Sequence, residues 1–201
     1  LILAAFLPVQ AAEVVGKYDL GTLKNDNSSY SWVSALSADG SVAVGSTNND
    51  KDNQRSAVWR GQDYSNKLDL GTLSSDNSNY SWVYALSADG SVAAGEAHND
   101  SGESRAIVWR GQDYGEKLDL GTLKSDNSGE SEVNALSADG SVAAGSVYDK
   151  DDTGFALYQY RRAVVWHGQD YGDKLDLGTL KSDNSGQSGV NALGGGRIGT
   201  Q

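Results

Sequence analysis

The 201-residue chain has no cysteine and no methionine, and it has only one proline, two phenylalanines and two histidines. Without cysteine there can be no disulfide framework, thiol nucleophile or Cys-ligated zinc site. Histidine chemistry is nearly excluded as well. His98 reads as part of a polar loop and His167 follows a strand, neither beside a matched carboxylate, so both read as single exposed residues. Basic residues are scarce: 16 Lys and Arg stand against 27 Asp and Glu, a net charge of −11. An acidic surface repels phosphate backbones, so no direct nucleic-acid ligand is expected. No apolar run is long enough for a membrane-spanning helix. No Gly-x-Ser-x-Gly nucleophile elbow and no phosphate-cradling glycine loop occurs. Apolar residues make up 38% of the chain, below the usual share, and glycine contributes 25 residues. That balance favours short strands and turns over large aliphatic helices.

One phrase is written three times. Ala-Leu-Ser-Ala-Asp-Gly-Ser-Val-Ala-x-Gly occupies residues 35–45, 85–95 and 135–145, so Asp39, Asp89 and Asp139 are spaced by 50. Leu-Gly-Thr-Leu recurs at 20–23, 70–73, 120–123 and 177–180. The interval from Trp109 to Trp166 grows to 57, because seven residues are added around Phe155 to Tyr160. A fixed period of this size marks stacked or radially arranged units.

Within one unit four strands are predicted. Val33 to Ser37 is the first. Ala38-Asp39-Gly40 is a tight hairpin, since Asp-Gly favours the positive φ of short β-loops. Ser41 to Ser46 is the second strand, with Val42 and Val44 on one face, Arg55 to Arg60 the third, and Lys67 to Leu73 the fourth. Small apolar side chains on both faces of these strands fit sheets covered on both sides by their neighbours. The expected fold is therefore all-β: a repeat of four-stranded antiparallel units resembling β-propeller blades, the alternatives being a β-solenoid or a sandwich. Three units are fewer than the 4–8 blades of closed propellers, so the ring is expected to be incomplete. The repeats span 18–193: units at 31–73, 81–123 and 131–180, and a partial fourth from Ser188.

The two ends read differently. Residues 1–11, an apolar stretch ending in Val9-Gln10-Ala11, look like the remnant of a secretory signal peptide cut after Ala11. Residues 194–201 break the pattern. A one-base shift of codons for Ala-Asp-Gly-Ser-Val spells Gly-Gly-Arg-Ile-Gly, the sequence of residues 195–199, so a frameshifted tail is expected.

The repeated phrases resemble the HAF-type extracellular repeats of bacterial surface and secreted proteins. The residues that carry the likeness are the three copies at 35–45, 85–95 and 135–145, Ala163-Val164-Val165-Trp166, the shorter Ala57-Val58-Trp59, and the Leu-Gly-Thr-Leu segments. The resemblance implies a passenger-like region of an autotransporter, secreted or displayed at the Gram-negative outer membrane. It supplies no catalytic motif.

Four residue sets bear on function. Asp69, Asp119 and Asp176 recur in every unit, which fits turn and strand-edge roles rather than a single active site. Trp59, Trp109 and Trp166 also recur and read as core. Tyr30, Trp32, Tyr80 and Trp82 do not: their counterparts are Glu130 and Glu132, then Gln187 and Gly189. These four aromatics are the candidate exposed binding residues. Asp149, Asp151 and Thr153, with Gly154 allowing a bend, form a candidate calcium loop, the alternative being a solvated acidic turn. No other cofactor is expected. The expected function is non-enzymatic: adhesion or self-association, with a protein or glycan surface as partner. The alternatives are a structural spacer or surface antigen without specific ligand, and a repeat-scaffolded enzyme.

Overall fold

The computed structural model describes residues 17–149, 160–182 and 186–193. The signal-like segment at 1–11 and the aberrant tail at 194–201 lie outside the described residues. So does the calcium loop, apart from the backbone of Asp149.

Among the described residues, twelve strands form three sheets. Sheet 1 comprises β1 (Ser31–Leu36), β2 (Val42–Asn48), β3 (Gln54–Arg60) and β4 (Asn66–Asp69). Sheet 2 comprises β5 (Ser81–Leu86), β6 (Ala93–His98), β7 (Ser104–Arg110) and β8 (Glu116–Asp119). Sheet 3 comprises β9 (Glu130–Leu136), β10 (Ala143–Asp149), β11 (Tyr160–His167) and β12 (Asp173–Gly178). Each is an antiparallel meander in chain order, the arrangement short turns permit.

The turns follow from their side chains. Asp39 accepts from the hydroxyls of Ser37 and Ser41 and from the Ser41 amide, closing the first hairpin. Gly40 takes φ 72°, and the same geometry recurs at Gly90 and Gly140. Each first strand carries a bulge two residues after its serine, at Val33/Ala35 in sheet 1 and Val83/Ala85 in sheet 2. Opposite the bulge only glycine fits. A Cβ on Gly45, Gly95 or Gly145 would run into the carbonyl of Trp32, Trp82 or Glu132.

The fourth strand of sheet 1 is shorter than predicted. It ends at Asp69 because Asp69 Oδ1 accepts the Gly71 amide at 2.8 Å and Gly71 turns to φ 76°. Asp119 does the same for Gly121; Asp176 likewise accepts the Gly178 amide, although β12 runs on to Gly178. These recurring aspartates are turn-formers.

The core lies between sheets. Val44, Val58 and Leu70 of sheet 1 pack against Val83, Ala93, Ile107, Trp109 and Tyr114 of sheet 2. Ala94, Val108 and Leu120 of sheet 2 pack likewise against Val133, Ala143, Val147 and Trp166 of sheet 3. The back of sheet 1 is partly covered by Leu20 and Leu23, which sit against Ala43, Ala57 and Trp59. Trp59, Trp109 and Trp166 are fully buried. An alanine at such a site would cost about 3–5 kcal/mol.

Polar bonds repeat across each joint. Ser81 Oγ accepts the Ser56 amide, Ser131 Oγ the Ala106 amide and Ser188 Oγ the Ala163 amide, each at 2.9 Å. The Ala38 amide donates to the Ala88 carbonyl, and the Ala88 amide to that of Ala138. Lys67, Lys117 and Lys174 each reach back to the preceding threonine carbonyl, at Thr22, Thr72 and Thr122. Arg60 pairs with Asp113, and Arg110 with Asp170. The segments at 17–29 and 186–193 thus use the same bonding scheme as the complete units.

Candidate functional site

A ligand site must differ from the repeat that carries it. Six positions on the first two strands of each unit do differ. Two of them, 44/94/144 and 47/97/147, are buried in every unit. The other four are 32/82/132, which read Trp, Trp, Glu; 34/84/134, Ser, Tyr, Asn; 46/96/146, Ser, Glu, Ser; and 48/98/148, Asn, His, Tyr. On an antiparallel pair, facing residues share one surface. Trp82 pairs with Glu96, and Glu132 with Ser146. These four variable positions therefore collect on one face of each first strand pair, while Val83 and Val133 turn to the opposite face and enter the core.

On sheet 2 these residues form an aromatic cluster. The Tyr80 and Trp82 rings stack at 5.9 Å with an interplanar angle of 16°. His98 stands against both, edge-on to Tyr80 at 5.6 Å and tilted to Trp82 at 5.7 Å. The His98 amide also donates to the Tyr80 carbonyl at 3.0 Å. The sequence placed His98 in a loop as an isolated exposed residue. It instead closes β6, is half-buried, and completes the cluster.

The four aromatics singled out from the sequence separate into two places. Tyr80 is exposed, Trp82 is half-buried beneath it, and the two are in contact. Tyr30 and Trp32 are exposed, Trp32 at 70%, and among the described residues neither pairs with another ring. Asn48 occupies the position that His98 holds in the second unit, so the first unit lacks the third ring.

Beside the aromatic cluster lies a polar group that sequence reasoning missed. Glu96 accepts from the Tyr84 and Ser104 hydroxyls. Glu132 accepts from Tyr148 at 2.9 Å, Arg161 at 2.8 Å and Asn134 at 3.0 Å. Arg161 lies over the Tyr148 ring at 5.7 Å, a cation–π geometry. Burial, then the Glu96 charge, pushes the Tyr84 hydroxyl far above its ordinary value. Burial and the Glu132 charge push Tyr148 up to about 12. Both phenols therefore stay protonated at neutral pH and act as donors. The signal was present in the sequence: Tyr84, Glu96, Glu132 and Tyr148 all fall where neighbouring copies disagree.

Chemically, the face offers stacked rings, half-buried carboxylates already engaged by hydroxyls, and one guanidinium. No group of three His, Cys, Asp or Glu side chains able to hold a metal occurs among the described residues. No helix among them is long and apolar enough to cross a membrane, which says nothing of a β-barrel. Comparison of the chain with protein-family models, with curated proteins and with solved structures found no match to any of them.

Proposed function

We propose that this chain is a non-enzymatic, surface-displayed or secreted repeat module of the HAF type, built from propeller-like blades, that acts by binding a protein or glycan surface. One observation carries the proposal: the chain buries its repeating tryptophans completely, yet holds Tyr30, Trp32 and Tyr80 at the surface, with Trp82 and His98 braced beneath Tyr80. Exposed aromatics lower the solubility of a surface, and a stacked pair presents a rigid apolar plane with little side-chain entropy left to lose on contact. The carboxylates of Glu96 and Glu132 support binding over catalysis, because hydroxyl, amide and guanidinium donors already engage both.

The test is a combined Tyr30, Trp32, Tyr80 and Trp82 to alanine variant displayed on cells. Attachment to protein- and glycan-coated surfaces should fall at least tenfold while the circular dichroism stays that of a β protein. Unchanged attachment would favour the structural spacer.

A further inference from the structure

The third strand of every unit carries one arginine at the same position: Arg55, Arg105 and Arg162. Arg55 and Arg105 are buried, and Arg162 is half-buried. In two copies the Nη2 atom holds a carboxylate. Arg105 Nη2 donates to Glu103 Oε2 at 3.0 Å, and Arg162 Nη2 to Asp176 at 2.6 Å. Arg55 Nη2 makes no hydrogen bond, although the Arg55 side chain is only 1% exposed. It lies 3.1 Å from Asp69 Oδ1, but Arg55 Nε and the Gly71 amide already donate to that oxygen. Arg55 Nη1 donates to the Asn77 carbonyl at 2.7 Å. A buried charged donor left without an acceptor is unfavourable, so this atom stands out.

One substitution between copies accounts for the difference. The β2–β3 and β6–β7 loops match bond for bond. Asn49 Oδ1 accepts the Lys51 and Asn53 amides, and Asn99 Oδ1 accepts the Ser101 and Glu103 amides, all at 3.0–3.1 Å. Position 53 is asparagine where position 103 is glutamate. The Glu103 carboxylate accepts from Asn99 Nδ2 at 3.2 Å as well as from Arg105. Neutral Asn53 offers Arg55 no carboxylate. A cavity of about 260 Å3 opens there instead, lined by Asn49, Asn53, Arg55, Asn77 and Ser78.

We propose that this cavity binds one uronate unit of a glycan, whose carboxylate takes on Arg55 the place that Glu103 holds on Arg105. Charge-assisted bonds to a guanidinium are among the strong ones. Lys51, exposed at the cavity, adds a second cation. Asp50 and Asp69 line it too, each already accepting a main-chain amide, from Asn25 and Gly71. Their charges, with the net −11 of the chain, disfavour dense polyanions and leave room for an isolated carboxylate. The side chains of Asn49, Asn53, Asn77 and Ser78 can both donate and accept, as ring hydroxyls do. Among the described lining residues only Leu23 is apolar, which favours a sugar over a peptide side chain. The volume lies just below the roughly 300–1,000 Å3 of drug-sized ligand sites, which suits a single ring. The site shares no residue with the aromatic face of sheet 2 and does not rest on it.

The test is an amide NMR titration of the full chain with four probes: galacturonate, its methyl ester, galactose and glutamate. Galacturonate should shift the Asn53 and Asn77 side-chain amides and the Arg55 Nε–H. The ester and galactose lack the charge and should bind about tenfold more weakly or worse. Glutamate lacks the ring and should also bind more weakly. Asn53→Glu copies Glu103, so it should keep the fold and abolish the galacturonate shifts. Glu103→Asn should open the matching site and add shifts at Asn99 and Arg105; if that variant does not fold, Asn53→Glu alone decides. Absence of galacturonate shifts at the cavity, an Asn53→Glu chain that binds like wild type, or an ester that binds as tightly as the acid would each overturn the site. Glutamate binding as tightly as galacturonate would overturn the assignment to a sugar. The alanine variant of Tyr30, Trp32, Tyr80 and Trp82 should keep the galacturonate shifts, and Asn53→Glu should keep attachment to protein-coated surfaces. Either proposal can therefore fail without the other.

Discussion

Ser131 Oγ accepts the main-chain amide of Ala106 at 2.9 Å across the joint between sheets 2 and 3, with both residues buried. The Ala106 carbonyl meanwhile accepts the Leu120 amide, so its strand spends one backbone group on each neighbour. Replacing Ser131 with alanine leaves a buried N–H without a partner. The expected loss is about 1–3 kcal/mol in urea unfolding. Ser188→Ala, where the same bond sits in a half-exposed segment, should cost less because water can substitute. Equal losses at both positions would contradict burial as the cause.

The hairpin aspartates contribute to the acid limit. The Ser41 amide, with the Ser37 and Ser41 hydroxyls, holds the Asp39 carboxyl down to about 2, and the Ser137 and Ser141 donors do the same for Asp139. An unfolded aspartate titrates near 3.9. The folded state therefore binds fewer protons in this window, and stability falls as pH drops from about 4 through about 2. Melting temperature followed from pH 5 to pH 2 should show that decline. Asp39→Asn with Asp139→Asn should flatten it, since the amide has no proton to gain. An unchanged acid limb would show that these turns are not its source.

Periodicity made the three sheets legible, because a unit covered on both faces must repeat its small apolar residues. The Asp-Gly hairpins were legible because few residues accept their positive φ. The end of β4 was not, because Leu70 and Leu73 continue the apolar pattern after the strand has ended at Asp69. The polar joints were hidden for another reason. Ser81 and Ser131 look like ordinary strand serines, and only the neighbouring sheet brings Ser56 and Ala106 to them. Half of the candidate site was visible as aromatics that fail to repeat. Its other half, Glu96, Glu132, Tyr84 and Tyr148, obeys the same rule of non-repetition but lacks the conspicuous side chains.

Tyr114 carries a test of local strain. It sits at φ 55°, a costly conformation for a bulky side chain, while its buried hydroxyl donates to the Gly90 carbonyl. Tyr64 and Tyr171 repeat both features with Gly40 and Gly140. The hydroxyl bond ties the loop before the fourth strand to the first hairpin of its own sheet. Tyr114→Phe keeps the packing and removes the bond, and should destabilise the protein by about 1–2 kcal/mol. It should also speed hydrogen exchange at the 88–91 hairpin, whereas purely apolar anchoring predicts no change there.

Alkaline titration probes the polar group beside the aromatics. Tyr148 is raised to about 12 by burial and the Glu132 charge, above the ordinary value of 10.0. A raised phenol keeps its proton in the fold longer than in the unfolded chain, so its contribution to stability is complete below pH 10 and is lost as pH climbs through 12. Absorbance at the tyrosinate band should show a late-ionising fraction that accompanies unfolding. Glu132→Gln removes the charge but keeps a hydrogen-bond acceptor, so Tyr148 should ionise at lower pH and the alkaline transition should broaden downward. If the late fraction survives Glu132→Gln unchanged, burial alone holds the phenol, and the carboxylate does not organise this face.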